Sequence, residues 1–120
     1  MIGQPSKEFE ASFAHSHIPM IMFGRPAIED SEIVYVDSDN QNGAVLAVEH
    51  LAIAKKRKRI GIITGGMHMI ASEMRFNGYK KGLAKVGIDF DIDLVAHGDF
   101  SLKSGREAMS ELLSRRPDID

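Results

Sequence analysis

The sequence of 120 residues contains no cysteine. This excludes disulfides, thiolate nucleophiles and cysteine-ligated metals, and it suits a reducing compartment without requiring one. Tryptophan is also absent and proline occurs only four times. No apolar run approaches the roughly 20 residues that a membrane helix needs. The opening, MIGQPSKEFE, lacks the basic-then-apolar layout of a signal peptide. Basic charge is not in excess: 15 Lys+Arg stand against 17 Asp+Glu, a net charge of −2. Dedicated DNA-binding surfaces are clearly basic, so this balance argues against one within the segment. Signatures of catalysis are missing too. There is no Walker-type phosphate loop, no G-x-G-x-x-G and no G-x-S-x-G. His15 and His17 have no partner pattern for a metal, and Glu49-His50 is not followed by the spacing of a zinc-protease helix. No cofactor, metal or catalytic residue is therefore assigned, and binding is favoured over enzymatic turnover.

What is present is an ordinary soluble composition, 43% hydrophobic and 27% charged, and a regular alternation of elements. A short helix is expected over Lys7–Ala14. The almost continuously apolar run Ile18–Gly24 reads as a strand covered on both faces, and Glu32–Asp37 as a second strand. Asn40 is a plausible N-cap for a helix over Asn42–Ala54, with Ala44, Ala47, Val48, Leu51 and Ala54 at helical spacing. The wholly basic Lys55–Arg59 link sits at a helix C-terminus, where cations suit the dipole, and reads as a solvated turn. Ile60–Ile63 is the next strand, stopped at Thr64-Gly65-Gly66. A helix with Phe76, Tyr79, Leu83 and Val86 on one face follows and ends at Gly87. Ile92–His97 is a last strand. Ser101 can cap a final helix whose inner face holds Gly105, Ala108, Met109, Leu112 and Leu113, ending at Pro117. The order (α)β–β–α–β–α–β–α predicts an α/β fold, a parallel sheet with helices on its faces. Both ends break off abruptly against that pattern, so a fragment of a larger domain is expected.

In such a sheet, ligands bind where strands end and helices begin. Three loops should share that edge: Asp37-Ser38-Asp39-Asn40, Thr64–Ala71 and Gly98-Asp99-Phe100. Arg75 flanks the core stripe of its helix at about 100° per residue, one turn beyond Ala71 and Ser72. Its guanidinium can fork onto ligand hydroxyls or a carboxylate, or form a structural salt bridge, for instance to Asp39. Phe100 can stack on a sugar or a base, or plug the top of the core. Asp39 can accept from ligand hydroxyls, or start the helix.

Several runs together resemble the LacI/GalR family of bacterial transcription regulators. Asp39-Asn40 with Gly43-Ala44, Leu46-Ala47 and His50-Leu51 is similar to its DN-x-x-GA-x-LA-x-x-HL. IGIITGG with Arg75, Gly78 and Tyr79 resembles its I-x-x-x-x-G-P followed by R-x-x-G-[YFW]. Leu83-Ala84-Lys85-Val86-Gly87-Ile88 resembles LAEAGI. Gly98-Asp99-Phe100 with Ser104-Gly105 and Ala108-Met109 resembles GDF-x-x-x-SG-x-x-AM, and Ile18-Pro19 resembles the start of IPVV. The resemblance spans Ile18–Asp120. It implies a two-lobed effector-binding domain like that of periplasmic sugar-binding proteins. Residues 1–36 would close the first lobe, and residues 37–120 would cross the hinge and begin the second. It further implies a cytoplasmic homodimer, a sugar or sugar phosphate as effector, and operator DNA gripped only by a head outside this chain. Arg75 falls on the family's ligand-binding arginine, Ala71 on a pocket-lining position, Phe100 on the pocket aromatic, and Asp39 on a position that contacts ligand in some members. Gly66 replaces the usual proline, and Gly24 stands where many members carry a ligand-binding aspartate. A periplasmic solute-binding protein of a transporter, which shares the fold, is the alternative.

Overall fold

The computed structural model describes residues 7–13, 19–28 and 32–120. The expected start of a strand at Ile18 and the His15/His17 pair lie outside them. The chain forms two compact units, Met1–Ser38 and Asp39–Asp120. No helix among the described residues is long and apolar enough to cross a membrane.

In the first unit, helix α1 spans Lys7–Phe13, and strands β1 (Ile21–Phe23) and β2 (Val34–Val36) pair in parallel. The Glu10 carboxylate is buried and accepts the backbone N–H groups of Ala27 (2.7 Å) and Ile28 (3.0 Å), which satisfies a charge that would otherwise be costly inside. The expectation of a strand covered on both faces is not met: Ile21, Phe23, Val34 and Val36 are all more than half exposed, Phe23 at 82%. A two-stranded ladder has too few neighbours to cover itself.

The second unit carries α2 (Asn40–Glu49), β3 (Ile62–Thr64), α3 (Ile70–Lys85), β4 (Val95–His97) and α4 (Leu102–Arg115). Strands β3 and β4 are parallel, in register Ile62↔Val95, Ile63↔Ala96 and Thr64↔His97. Among the described residues the strands pair in parallel, as the element order predicts, β1 with β2 and β3 with β4. Side chains alternate across a strand, and β4 uses that alternation. Val95 packs with Val48, Ile60, Tyr79 and Leu83 under α2 and α3, whereas Ala96 packs with Ala108 and Leu112 under α4. Helices therefore cover both faces of this pair. Of the predicted inner face of α4, Ala108 and Leu112 are buried while Met109 and Leu113 stay nearly half exposed.

Local chemistry moves several boundaries. Asp39, not Asn40, caps α2: its Oδ1 accepts from Asn42 N–H at 3.0 Å, which makes Asn40 the first helical residue. The helix runs on to Ala54 but in π geometry from His50, with Lys55 N–H bonding His50 C=O at 3.1 Å. Ile60 is not in the ladder, because its carbonyl accepts the Tyr79 hydroxyl at 2.7 Å. Residues Ile92–Leu94, expected as strand, form a 3₁₀ turn because the Asp91 carboxylate accepts from Asp93 N–H. Gly87, at φ +72°, ends α3 in a left-handed cap with Ile88 N–H on Leu83 C=O (3.0 Å) and Gly87 N–H on Ala84 C=O (3.3 Å). The basic Lys55–Arg59 link is largely exposed, as expected, but it is also tied down. The Asp120 carboxylate accepts Lys58 and Arg59 N–H, and Arg59 pairs with Asp118.

Two predictions arise here. Gly105 lies in the first turns of α4 with nothing within 4 Å of an added Cβ. Gly105→Ala is expected to raise stability by about 0.5–1 kcal/mol, through the usual helix-interior advantage of alanine; urea unfolding checks it. Tyr79 is the second case. Burial, then the nearby Asp91 carboxylate, push its phenol from 10 up to about 12. The folded chain thus holds this proton more tightly than the unfolded chain. The resulting stability is fully present below pH 10 and is lost as pH rises through about 12. The loss is on the order of 2 kcal/mol. Tyr79→Phe should remove this alkaline sensitivity and lower stability at pH 7 by about 1 kcal/mol, since it orphans the Ile60 carbonyl. Thermal melts at pH 7, 10 and 12 decide it.

Candidate functional site

The C-terminal ends of β3 and β4 lead toward the N-termini of α3 and α4. Helices α2 and α3 run side by side in the same direction: Asn40 meets Arg75, Gln41 lies against Gly78, Val48 against Gly82 and Glu49 against Lys85. Their N-termini therefore lie at the same end, and both dipoles present their positive ends to this edge.

Arg75 donates from Nε to the Asn40 side-chain oxygen at 2.7 Å. It has no carboxylate partner among the described residues, so the salt bridge to Asp39 does not form. Asn40 is buried and its amide oxygen is neutral; it orients the guanidinium without discharging it. The guanidinium carbon stands 5.9 Å from the centroid of the Phe100 ring, within cation–π range. Phe100 has φ +69°, a left-handed conformation rare for a phenylalanine. Its turn is held by Asp99, whose Oδ1 accepts from Ser101 N–H (2.8 Å) and the Ser104 hydroxyl (2.5 Å). Hydrogen bonds from Ser101 and then Ser104 hold the Asp99 carboxyl down at about 2, so it is charged at any ordinary pH. Ser101 caps α4 as expected, accepting from Ser104 N–H at 3.1 Å. The Phe100 ring lies over Gly65 so closely that a Cβ there would fall 2.1 Å from it. Only glycine leaves room for the ring, which itself remains 53% exposed.

The four residues singled out from the sequence thus separate. Arg75 and Phe100 come together, with Gly65 beneath the ring. Ala71 is the second residue of α3, half-buried, one turn before Arg75. Asp39 serves the helix start through its bond to Asn42. Sequence reasoning missed Asn40, although Asp39-Asn40 offers two capping residues where one suffices, leaving the other for a different partner. It also missed the pair formed by Thr64 Oγ1 and His97 Nδ1, 2.8 Å apart at the last rung of the ladder, and Ser72, whose buried hydroxyl lacks a hydrogen-bond partner among the described residues. No group of three or more potential metal ligands occurs among the described residues.

The chain resembles known proteins in sequence and in fold. Residues 6–120 match the family described as periplasmic binding proteins and the sugar-binding domain of the LacI family. The chain belongs to this family. It is 39% identical over 104 residues to the HTH-type transcriptional regulator CelR of Thermobifida fusca, covering 86% of this chain and 30% of that protein. It is 33% identical over 106 residues to the transcriptional repressor CytR of Escherichia coli K12, covering 88% of this chain and 31% of that protein. Among solved structures it superimposes on a CelR–cellobiose complex with a TM-score of 0.77 at 30% identity, over 95% of this chain and 42% of the other. It matches the transcription regulator CcpA of Lactococcus lactis with the same TM-score at 28% identity, over 92% of this chain and 40% of the other. This LacI-family chain spans about a third of the length of the curated relatives it matches. The periplasmic-binding-protein-like fold and the kinship to LacI-type regulators, both expected from the motifs, hold.

Proposed function

We propose that this chain senses a small-molecule effector within a LacI-type transcriptional regulator. The observation that carries the reading is the Arg75–Asn40–Phe100 cluster at the strand ends. It offers a charged fork oriented by a neutral partner, beside an exposed aromatic ring. Sugars need both features. Their hydroxyls accept from a guanidinium, and their C–H faces pack on an aromatic ring. The relatives named above are regulators, which favours this reading over a transporter's solute-binding protein. One similar structure is a complex with cellobiose, so a sugar is the effector class we assign, with a sugar phosphate as its charged variant.

In this reading residues 1–36 close a first lobe, and residues 37–120 cross the hinge and begin the second. Arg75, Phe100, Ala71 and Asp39 line the second-lobe wall. Effector binding favours one lobe arrangement, which changes how DNA-binding heads outside this chain are spaced in a cytoplasmic homodimer. The signal is the difference in effector affinity between the two arrangements. No catalytic step is needed.

The test is calorimetric titration of the regulator carrying this chain with cellobiose, a panel of other mono- and disaccharides, and sugar phosphates. One of them is expected to bind saturably and to shift operator affinity. If none binds, or if binding leaves operator affinity unchanged, the reading fails.

A further inference from the structure

The last rung of the β3–β4 ladder is the final point at which the two arms of the candidate site are held together. Beyond Thr64 the chain turns at Gly65-Gly66 and enters α3, which carries Arg75. Beyond His97 it turns at Gly98-Asp99 and delivers Phe100. Two bonds close this rung. Gly98 N–H donates to Thr64 C=O at 2.8 Å, and His97 Nδ1 shares a hydrogen bond with Thr64 Oγ1 at 2.8 Å. Ile62 and Val95, two residues earlier on each strand, face the α2–α3 core. By alternation Thr64 and His97 face the same side, at the top of that core. Thr64 is buried while His97 is exposed, so the imidazole reaches from the open edge inward to a hydroxyl that would otherwise be left unpaired.

We infer that His97 is a positioning residue of the effector site, acting through Thr64. This rests on the reading of Arg75 and Phe100 as the effector-binding pair. The imidazole locks the ends of β3 and β4 together. This fixes Gly65 under the Phe100 ring and so sets the 5.9 Å separation of ring and guanidinium. A threonine hydroxyl both donates and accepts, so the bond forms with either imidazole tautomer. What matters is a polar atom at the Nδ1 position. Nε2, not engaged by Thr64, has no part in the lock.

That distinction supplies the test. The asparagine side-chain amide reaches about as far as Nδ1, and that of glutamine about as far as Nε2. His97→Asn should therefore preserve the lock, whereas His97→Gln and His97→Ala should break it. The readouts are two-dimensional NMR measurements on the chain as it stands. One is amide exchange at Gly98; the other is the nuclear Overhauser contact between Arg75 Hε and the Phe100 ring. In the alanine and glutamine variants, Gly98 exchange is expected to rise about tenfold, as loss of one supporting hydrogen bond allows, and the Arg75–Phe100 contact to vanish. Amides of central α3, such as Tyr79, should keep their exchange rates. The asparagine variant should match the parent in both readouts. Unchanged Gly98 exchange and an intact Arg75–Phe100 contact in His97→Ala overturn the proposal, as does rescue by glutamine rather than asparagine. Were the alanine variant to unfold, which the α3 amides would reveal, the asparagine–glutamine comparison still decides. The same sugar panel is titrated into the regulator carrying this chain alongside. Failure of every sugar to bind counts against the effector reading alone, because the NMR comparison needs no ligand.

Discussion

Gly78→Ala is expected to destabilise the 39–120 unit by about 3 kcal/mol, at the upper end of what overpacking produces. In an isolated helix the same change would stabilise by about 0.5–1 kcal/mol, because glycine is the poorer helix former. The sign reverses because of what lies opposite. A Cβ at Gly78 would sit 2.1 Å from the Gln41 carbonyl oxygen, 3.0 Å from its carbon and 2.8 Å from Ala44 Cβ. Two of these are backbone atoms of α2, which cannot swing aside as a side chain can. The helices must part instead, and the Val48, Tyr79 and Leu83 packing parts with them. Gly82 is in a similar position, but its nearest neighbour is the Val48 side chain, at 2.8 Å, so Gly82→Ala should cost less than Gly78→Ala. Urea unfolding of the two variants checks both the sign and the order. A Gly78→Ala chain as stable as the parent would mean that α2 and α3 do not approach this closely. Gly105→Ala serves as the internal control, since it is the same substitution in a helix with open space around it.

Arg75→Ala is expected to weaken effector binding by roughly 10- to 150-fold, the factor that matches about 1.5–3 kcal/mol for hydrogen bonds to a charged group. Folding stability should change little, because among the described residues the guanidinium has one hydrogen bond, to Asn40. Arg75→Lys should recover only a small part of the affinity. An ammonium lacks the planar fork that bonds Asn40 and a ligand at once and stacks on Phe100. The measurement is calorimetric titration of the regulator carrying this chain with whichever sugar the parent binds. Unchanged affinity in the alanine variant removes Arg75 from the site. Phe100→Ala offers a second view of the same cluster. It should weaken a sugar through lost stacking and leave Arg75 attached to Asn40.

Much of the second unit was legible in the sequence because its elements are specified locally. The stripe of Phe76, Tyr79, Leu83 and Val86 has the helical period, and Tyr79 and Leu83 are both buried. Ser101 stands before its helix with the right donor three residues on, and it caps. Gly87 stands where the helical pattern stops and adopts the left-handed conformation that a stop requires. The errors lie where two local solutions compete. Asp39 and Asn40 can each cap, and the tie is broken by Arg75, which needs Asn40. Ile92–Leu94 have strand composition, but the Asp91 side chain offers Asp93 a closer partner than any neighbouring strand. Ile60 reads as strand, yet the Tyr79 hydroxyl claims its carbonyl.

For the candidate site, the order of strands and helices along the chain dictates which turns arrive at one edge. Parallel β3 and β4 put their β-to-α turns at the same end, which carries Ala71, Arg75 and Phe100 to one edge, whereas Asp39 follows β2 of the other pair and reaches that edge through the packing of α2 on α3. Whether they touch was not determined by that rule, because periodicity fixes faces and ends but carries no distances between elements far apart in the chain. Those distances come from the packing of the whole unit. That packing placed Arg75 on Asn40 across 35 residues, laid the Phe100 ring over Gly65, closed the last rung with Thr64 and His97, and left Asp39 to the helix start. Each outcome depends on how closely α2, α3 and the two turns pack. That closeness is set by the volumes of residues such as Gly65 and Gly78, whose effect appears only when the opposing backbone or ring is in place.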